Sequence, residues 1–422
     1  MAGPCVNDGC IPTKALVASA QAAHVARRAA DFGVTIAGAV GVDMKAVKAR
    51  KDKIVARSRT NVENWVRGMK GCTVYIGHGR FTGPKQVGVN GETLTASQIF
   101  LDVGGRATVP PIPGLDSVPY LTNTSMMDVD FLPRHLIVLG GSYIGLEFAQ
   151  MYSRFGSAVT VLEALPRLVP REDEDISAAI TDILESGGIE VRTGAKALAV
   201  RKTGEGVAVE IETAQGKAQV DGSHLLVAIG RRPNTNDLGL DTAGIKTDAR
   251  GYIEVDDQLR TNIAGIFALG DCNGRGAFTH TSYNEFEIVA ANLLDGESRR
   301  LSDRIMAYAL YIDPPLGRCG MSEADARKSG RPVLMAIWPM ERVGRAVERS
   351  ETQGFMKILV DRDTREILGA SLLGVGCDEV VHAVLDLMYA KAPYPVLQRA
   401  MHIHPTVSEY LPTMLGQLKP LS

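Results

Sequence analysis

A chain of 422 residues, 45% hydrophobic and 22% charged, is too long for one core and implies about two to four domains of an α/β protein. Its formal net charge of −2 excludes a general attraction to nucleic acid or an anionic membrane, and no apolar run reaches the roughly 18 residues that a membrane helix needs. The six cysteines are too scattered for a disulfide scaffold and no basic-then-apolar leader opens the sequence, so a cytoplasmic location is expected, where a disulfide is more often catalytic than structural.

Two cysteines lie five positions apart in Gly3-Pro4-Cys5-Val6-Asn7-Asp8-Gly9-Cys10-Ile11-Pro12-Thr13-Lys14. From Pro12 to Ala30 the chain is rich in Ala and free of Gly, which predicts a helix with Cys10 at or just before its N-terminus. Unpaired N–H groups and the helix dipole favour a thiolate there. Cys5 is within reach as its partner in a disulfide that closes and reopens, although a structural disulfide or two unrelated thiols would show the same spacing. A second helix is predicted over 43–67, where Val47, Ile54, Val55, Val62 and Val66 form an apolar stripe and the basic stretch Lys45 to Lys53 reads as the solvated face. Residues 73–103 read as short strands with turns at Gly79, Gly83 and Asn90-Gly91, followed by Gly104-Gly105 and a proline-rich linker.

Leu136 to Leu139 reads as an apolar strand, followed by the turn Gly140-Gly141-Ser142-Tyr143-Ile144-Gly145 and a helix to about Phe155. The strand Ala158 to Leu162 ends in Glu163. This is the pattern of a βαβ dinucleotide-binding unit. Gly140 and Gly145 take the first and third glycines of G-x-G-x-x-G, while Ser142 replaces the second. Glu163 lies 18 residues after Gly145. An acid there accepts hydrogen bonds from a ribose diol and repels a 2′-phosphate, which predicts NADH over NADPH. An ordinary exposed Glu at a strand end reads the same way, and the nearby Arg167 keeps NADPH open.

Apolar runs at 207–211 and 224–229 are expected to continue the sheet, closing at Gly230-Arg231-Arg232-Pro233-Asn234. Gly265 to Asp271 reads as a buried strand ending at an Asp. The character changes from about 303: strands at 355–360 and 366–373, a helix over 377–391, and the tail His402-Ile403-His404-Pro405-Thr406-Val407-Ser408-Glu409. A histidine suits proton transfer to and from a thiol near neutral pH, and a carboxylate on its second nitrogen fixes the tautomer. His404 also reads as a turn histidine before proline. His402 and His382 read as surface or packing residues, and Cys72, Cys272, Cys319 and Cys377 as small core residues.

Over essentially the whole chain these motifs resemble the class I pyridine nucleotide-disulfide oxidoreductases, the flavoenzymes that include dihydrolipoamide dehydrogenase, glutathione reductase and mercuric reductase. The resemblance implies an α/β fold with two Rossmann-like nucleotide-binding domains, for FAD and NAD(P), and a C-terminal α+β dimerisation domain. The implied boundaries are 1–107 (FAD, first part), 108–235 (NAD(P)), 236–302 (FAD, second part) and 303–422 (dimerisation). The implied electron path runs from NAD(P)H to FAD, to the Cys5–Cys10 disulfide, and on to a small-molecule or protein disulfide or a metal ion.

Residue by residue, Cys10 matches the cysteine nearest the flavin and Cys5 the one that attacks the acceptor. Lys14 matches the lysine beside the flavin ring and Glu147 its ion-pair partner. Tyr143 matches the aromatic residue that covers the flavin and moves when nicotinamide binds. Asp271 matches the aspartate on the ribityl chain. Phe278-Thr279-His280 falls where backbone amides approach the pyrimidine end of the flavin, and Gly104 and Gly230 join the cofactor-binding set. His404 matches the catalytic base and Glu409 the carboxylate that orients it. In the family the base comes from the partner subunit, so a homodimer is implied.

The resemblance breaks at the start of the sequence. The family's first strand, its G-x-G-x-x-G loop for the FAD pyrophosphate and the acid for the adenosine ribose precede the paired cysteines. Their absence here predicts an N-terminally truncated FAD domain that binds FAD poorly or not at all. A flavin-free NAD-binding dimerisation module without activity is the alternative reading. The tail Gly416 to Ser422 lacks the vicinal cysteines that mercuric reductases carry. The His-x-His-Pro-Thr-x-Ser-Glu pattern is nearer to dihydrolipoamide dehydrogenase.

Overall fold

The computed structural model describes residues 3–421. The cysteine segment folds as one turn of helix, Pro4–Asn7, and then a long helix, Cys10–Arg27. The long helix begins two residues before the expected start and ends sooner, at a 3-10 turn over Ala29–Phe32. Pro12 is compatible with the earlier start because it sits in the first turn, where a backbone N–H has no helical acceptor. The second helix is Met44–Gly68, opened by Asp43, whose carboxylate accepts from Lys45 N and Ala46 N. Leu16, Ala20 and Met44 on these two helices share a core with Phe148 of the helix Tyr143–Phe155. The basic stretch is not wholly solvated as expected. Lys51 is buried, because its ammonium donates to the Met127 carbonyl at 2.7 Å.

Strands Arg80–Gly83, Gln86–Val89 and Glu92–Thr95 form an antiparallel meander. Its second turn is Asn90-Gly91 with φ of 52° and 84°, the paired left-handed positions of a tight hairpin. The nucleotide unit is a five-stranded parallel sheet in the order Tyr120–Leu121, His224–Val227, His135–Leu139, Ala158–Leu162, Glu190–Arg192. Leu136, Ile137 and Val138 of its central strand are fully buried, as a strand covered on both faces requires. Helices Tyr143–Phe155 and Glu174–Ser186 share one core with this sheet.

A separate antiparallel sheet, Lys196–Lys202, Val207–Thr213 and Gly216–Gly222, packs on Ile137, Leu139 and Leu225. The run 207–211 therefore does not continue the parallel sheet as expected. It is the middle strand of that antiparallel sheet, and a buried apolar strand has the same local pattern in either place.

Strands Ile99–Leu101 and Ile266–Ala268 pair in parallel, and Phe267 shares a core with Ile288 and Val289 of the helix Thr279–Leu294. Gly105–Ala107 and Arg231–Pro233 form a short antiparallel ladder beside them. The C-terminal part is a six-stranded antiparallel sheet in the order Ala307–Leu310, Leu316–Gly320, Ile367–Leu373, Phe355–Asp361, Val333–Pro339, Lys419–Pro420, with the helix Cys377–Tyr389 packed on it. Cys272, Cys319 and Cys377 are buried, but Cys72 is exposed, since it follows the end of a surface helix rather than entering a core. No helix among the described residues is long and apolar enough to cross a membrane.

One buried lysine joins the C-terminal sheet to the nucleotide unit. Lys357, 2% exposed at its side chain, reaches Asp175 at 2.7 Å, Asp173 at 2.9 Å and Glu323 at 3.0 Å. Asp173 also accepts from Glu323 N at 3.0 Å. The acids sit at the starts of the helices Glu174–Ser186 and Glu323–Lys328, whose dipoles favour negative charge there.

Candidate redox and nucleotide site

The bend between the first two helices is built on Gly9, where a Cβ would stand 2.8 Å from the Pro4 carbonyl oxygen. It brings Cys5 back to Cys10. Both are free thiols. Cys10 is the first residue of its helix and is exposed. Its thiol is lowered to about 6, first by the hydrogen bond with Cys5, with the Thr279 hydroxyl and the Lys14 ammonium acting the same way against the cost of burial. The Cys5 thiol is raised, chiefly by that same bond to Cys10 and by burial. Cys10 Sγ lies 3.2 Å from Thr279 Oγ1, and Thr279 opens the helix Thr279–Leu294. Two helix starts therefore meet at one sulfur.

Lys14, one turn beyond Cys10, pairs with Glu147 on the nucleotide helix. Its ammonium also sits 4.3 Å from the centre of the Tyr311 ring. The second Glu147 oxygen accepts from Tyr311 N at 3.1 Å, so this buried carboxylate is satisfied on both oxygens. The pair ties together three parts of the chain that are remote in sequence.

The glycine turn has no room for side chains. Gly140 has φ of 111° and a Cβ there would lie 2.5 Å from the Ala228 oxygen, while one on Gly145 would lie 2.0 Å from the Gly140 oxygen. Ser142 is the N-cap of the helix Tyr143–Phe155 and its side chain does not cap the first-turn amides. An uncapped helix start of this kind fits the pyrophosphate of a dinucleotide. Glu163 is buried, unlike an ordinary strand-end acid, and accepts from Gly141 N at 2.7 Å and Leu165 N at 2.8 Å. It braces the turn against the strand end, and a carboxylate has lone pairs left for a ribose diol. Arg167 donates to the Pro170 and Glu172 carbonyls and is tied to backbone rather than offered to a phosphate.

Asp271 lies in the 3-10 turn Gly270–Asn273 just after the strand Ile266–Ala268, and its Oδ2 is 3.1 Å from Arg231 Nη2. Arg231 also donates to the Gly105 carbonyl at 2.6 Å. Gly104 and Gly230 have φ of 66° and 134°, and a Cβ on Gly105 would lie 3.0 Å from the Arg232 oxygen. An acid and the left-handed Gly104 at the ends of the paired strands Ile99–Leu101 and Ile266–Ala268 fit the flavin side of FAD.

Tyr143, the first helical residue after the turn, donates its hydroxyl to Glu172 Oε1 at 2.6 Å. Tyr308 of the C-terminal sheet donates to the same oxygen at 2.7 Å. No motif spacing links residues 143, 172 and 308, so sequence reasoning missed this cluster. His404 stands apart. Its Nδ1 is 2.9 Å from Glu409 Oε2, and its side chain is 80% exposed. No hydrogen bond or ion pair joins it to either cysteine among the described residues.

Residues 1–285 match the family described as pyridine nucleotide-disulphide oxidoreductase, and residues 306–415 match the dimerisation domain of that family. The chain belongs to this family. Mercuric reductase of Streptomyces lividans is 36% identical to this oxidoreductase over 97% of the chain and 87% of its own length. Dihydrolipoyl dehydrogenase of Thermus scotoductus is 34% identical over 97% of the chain and 88% of its own. The solved structure of the Cu(II) complex of the HOCl-induced flavoprotein disulfide reductase RclA from Escherichia coli superposes with a TM-score of 0.89 at 34% identity, covering 98% of this chain and 91% of that one.

This oxidoreductase is thus an enzyme of the flavoprotein class, with FAD and a pyridine nucleotide as cofactors. The expected truncation of the FAD domain finds no support in the family match over 1–285, and the chain spans 87% and 88% of the two curated relatives. The flavin-free, inactive alternative finds none either.

Proposed function

We propose that this oxidoreductase uses NADH, in preference to NADPH, to keep Cys5 and Cys10 as a dithiol, and that the dithiol reduces an external disulfide. The observation that carries the reading is the Cys10 thiol, lowered to about 6 at a helix start beside Cys5, Thr279 and Lys14. When bound, FAD supplies the hydride acceptor and two-electron relay that reopen the Cys5–Cys10 disulfide. The chain's own residues do the rest. Cys5 sulfur, giving its proton to a base, attacks one sulfur of the acceptor and expels the other as a thiolate. Cys10 thiolate then attacks Cys5 sulfur, expels the second acceptor thiolate and closes the disulfide. The acceptor gains two electrons and two protons.

His404 manages those protons, with Glu409 on Nδ1 leaving Nε2 free to accept and donate. Exposed Met401 and Ile403 beside it, and the dimerisation domain at 306–415, support a His404 supplied by a second copy of the chain. We assign Lys14, Glu147, Gly104, Asp271 and Thr279 to the flavin side. Gly140, Ser142, Tyr143, Gly145, Glu163 and Gly230 belong to the nucleotide side. The domains run over 1–107 with 236–302 (FAD), 108–235 (NAD) and 303–422 (dimerisation).

A second reading takes a thiophilic metal ion as acceptor. The names of the relatives favour it, one a mercuric reductase and one solved as a Cu(II) complex. Purified protein loaded with FAD separates the readings. NADH oxidation driven by a small cyclic disulfide and lost in Cys5→Ser supports the first. Turnover with Hg(II) or Cu(II) but not with disulfides supports the second. Protein that takes up no FAD, or turns over with neither acceptor, overturns both.

A further inference from the structure

Glu172 is a charged group for which the redox chemistry above has no use. It is buried in the connection before the helix Glu174–Ser186. Its Oε1 accepts from two phenols, while its Oε2 has no hydrogen-bond partner among the described residues and faces Arg318 Nε at 3.5 Å. Arg318 directs Nη1 to the Cys319 and Ala370 carbonyls and is buried with it. A buried carboxylate held so unevenly is costly, and such groups call for an explanation. Both phenols are pushed up, by burial first and by the Glu172 charge next, Tyr308 to about 12 and Tyr143 further. They stay protonated donors, and Glu172 stays their acceptor.

Contacts lead from the anion-binding turn through the Tyr143 ring toward the redox thiols. Tyr143 follows the glycine turn directly, and its edge meets Phe278 at 6.4 Å and Tyr308 at 5.6 Å between centroids. Phe278 precedes Thr279, which touches Cys10. A nicotinamide attached to a pyrophosphate on the turn has to pass this ring to reach the flavin side of Cys10. Phe278 and Tyr308 stack on each other at 5.4 Å and 11°, whereas the Tyr143 ring meets both only edge-on.

We propose that Glu172 is a positioning residue that latches Tyr143 across the nicotinamide path, and that Tyr308 keeps the carboxylate hydrogen-bonded while Tyr143 swings away. Without Tyr308, opening would leave Oε1 bare in a buried site. With it, opening breaks one charge-assisted bond and leaves another. The inference rests on the nucleotide site assigned above.

The test is calorimetric titration of the purified protein with NAD⁺, which reads affinity without turnover. Tyr143→Phe keeps the ring and loses the latch, and should tighten NAD⁺ binding roughly fivefold to tenfold, the population shift that one such bond controls. Glu172→Gln should do the same, and the double variant should add nothing further. Tyr308→Phe should act in the opposite sense and weaken NAD⁺ binding, because Glu172 then holds Tyr143 alone. A merely structural cluster would weaken binding, or leave it unchanged, in all three. Tyr143→Phe that binds no more tightly than wild type, or Tyr308→Phe that binds more tightly, overturns the latch. Those two variants decide it even if Glu172→Gln fails to fold. Wild-type protein that binds no NAD⁺ overturns the nucleotide site, and the latch with it.

Discussion

Thr279 Oγ1 lies 3.2 Å from Cys10 Sγ, although 269 residues separate them in the chain. The contact means that the helix Thr279–Leu294, which comes long after the nucleotide turn, helps to set the acidity of a thiol near the start.

Cys10 should ionise far below an ordinary thiol. Its proton leaves near pH 6 rather than 9, so the thiolate predominates above about pH 6 and is lost below it. In reduced protein, the iodoacetamide labelling rate of Cys10, read by peptide mass spectrometry, should rise through about pH 6 and level off well before pH 9. Thr279→Ala and Lys14→Met each remove a group that favours the thiolate, so both should move the midpoint upward. A midpoint near 9 in the unaltered protein contradicts the assignment.

Cys10→Ser should abolish NADH-driven disulfide reduction, because the second thiolate displacement has no nucleophile. Reduction of an artificial dye should survive, since a dye takes electrons without the dithiol. Steady-state assays of the two acceptors side by side check this. Equal loss of both activities would point to a folding defect, and retention of disulfide turnover would remove Cys10 from the reaction.

Glu163 should set nucleotide choice. The enzyme should show a higher kcat/KM for NADH than for NADPH, and Glu163→Arg should reverse the order. The variant also loses the brace to Gly141 N and Leu165 N, so a lower kcat/KM with NADH is expected as well. A wild-type preference for NADPH would show that the carboxylate serves only as that brace.

Cys5→Ser and His404→Ala should complement each other when the subunits exchange. Random mixing makes about half heterodimers, each with one intact site of two, so roughly a quarter of wild-type activity should return if the base is worth the usual 10²–10⁴-fold. Mixed mutants that exchange subunits yet stay as inactive as either parent would place His404 in the same subunit as its cysteines or outside catalysis.

The parts of the fold that were legible are those whose signals are local. The strand His135–Leu139, the glycine turn, the helix to Phe155 and the strand Ala158–Leu162 follow one another in one βαβ pattern, and the structure has them there. The Asn90-Gly91 hairpin was readable from two residues. The run 207–211 belongs to a different sheet from the one its pattern suggests, because burial, not sheet membership, writes an apolar run. Lys51 looked solvated because its acceptor is a backbone carbonyl 76 residues away, which no spacing reveals. Within the candidate site, the Lys14–Glu147 pair came through the family resemblance. The Glu172, Tyr308 and Arg318 group was invisible, since each comes from a different segment and none lies in a motif.

The ammonium of Lys357, lodged among Asp173, Asp175 and Glu323, also constrains how the molecule can move. Withdrawing one partner from such a buried charge cluster costs about 3–5 kcal/mol. Swinging the nucleotide unit away from the C-terminal sheet would incur that cost on every opening, whereas turning the Tyr143 ring breaks one hydrogen bond. On the latch proposed above, nucleotide exchange should answer to a side-chain rotation rather than to the microsecond-to-millisecond hinge motion of two lobes.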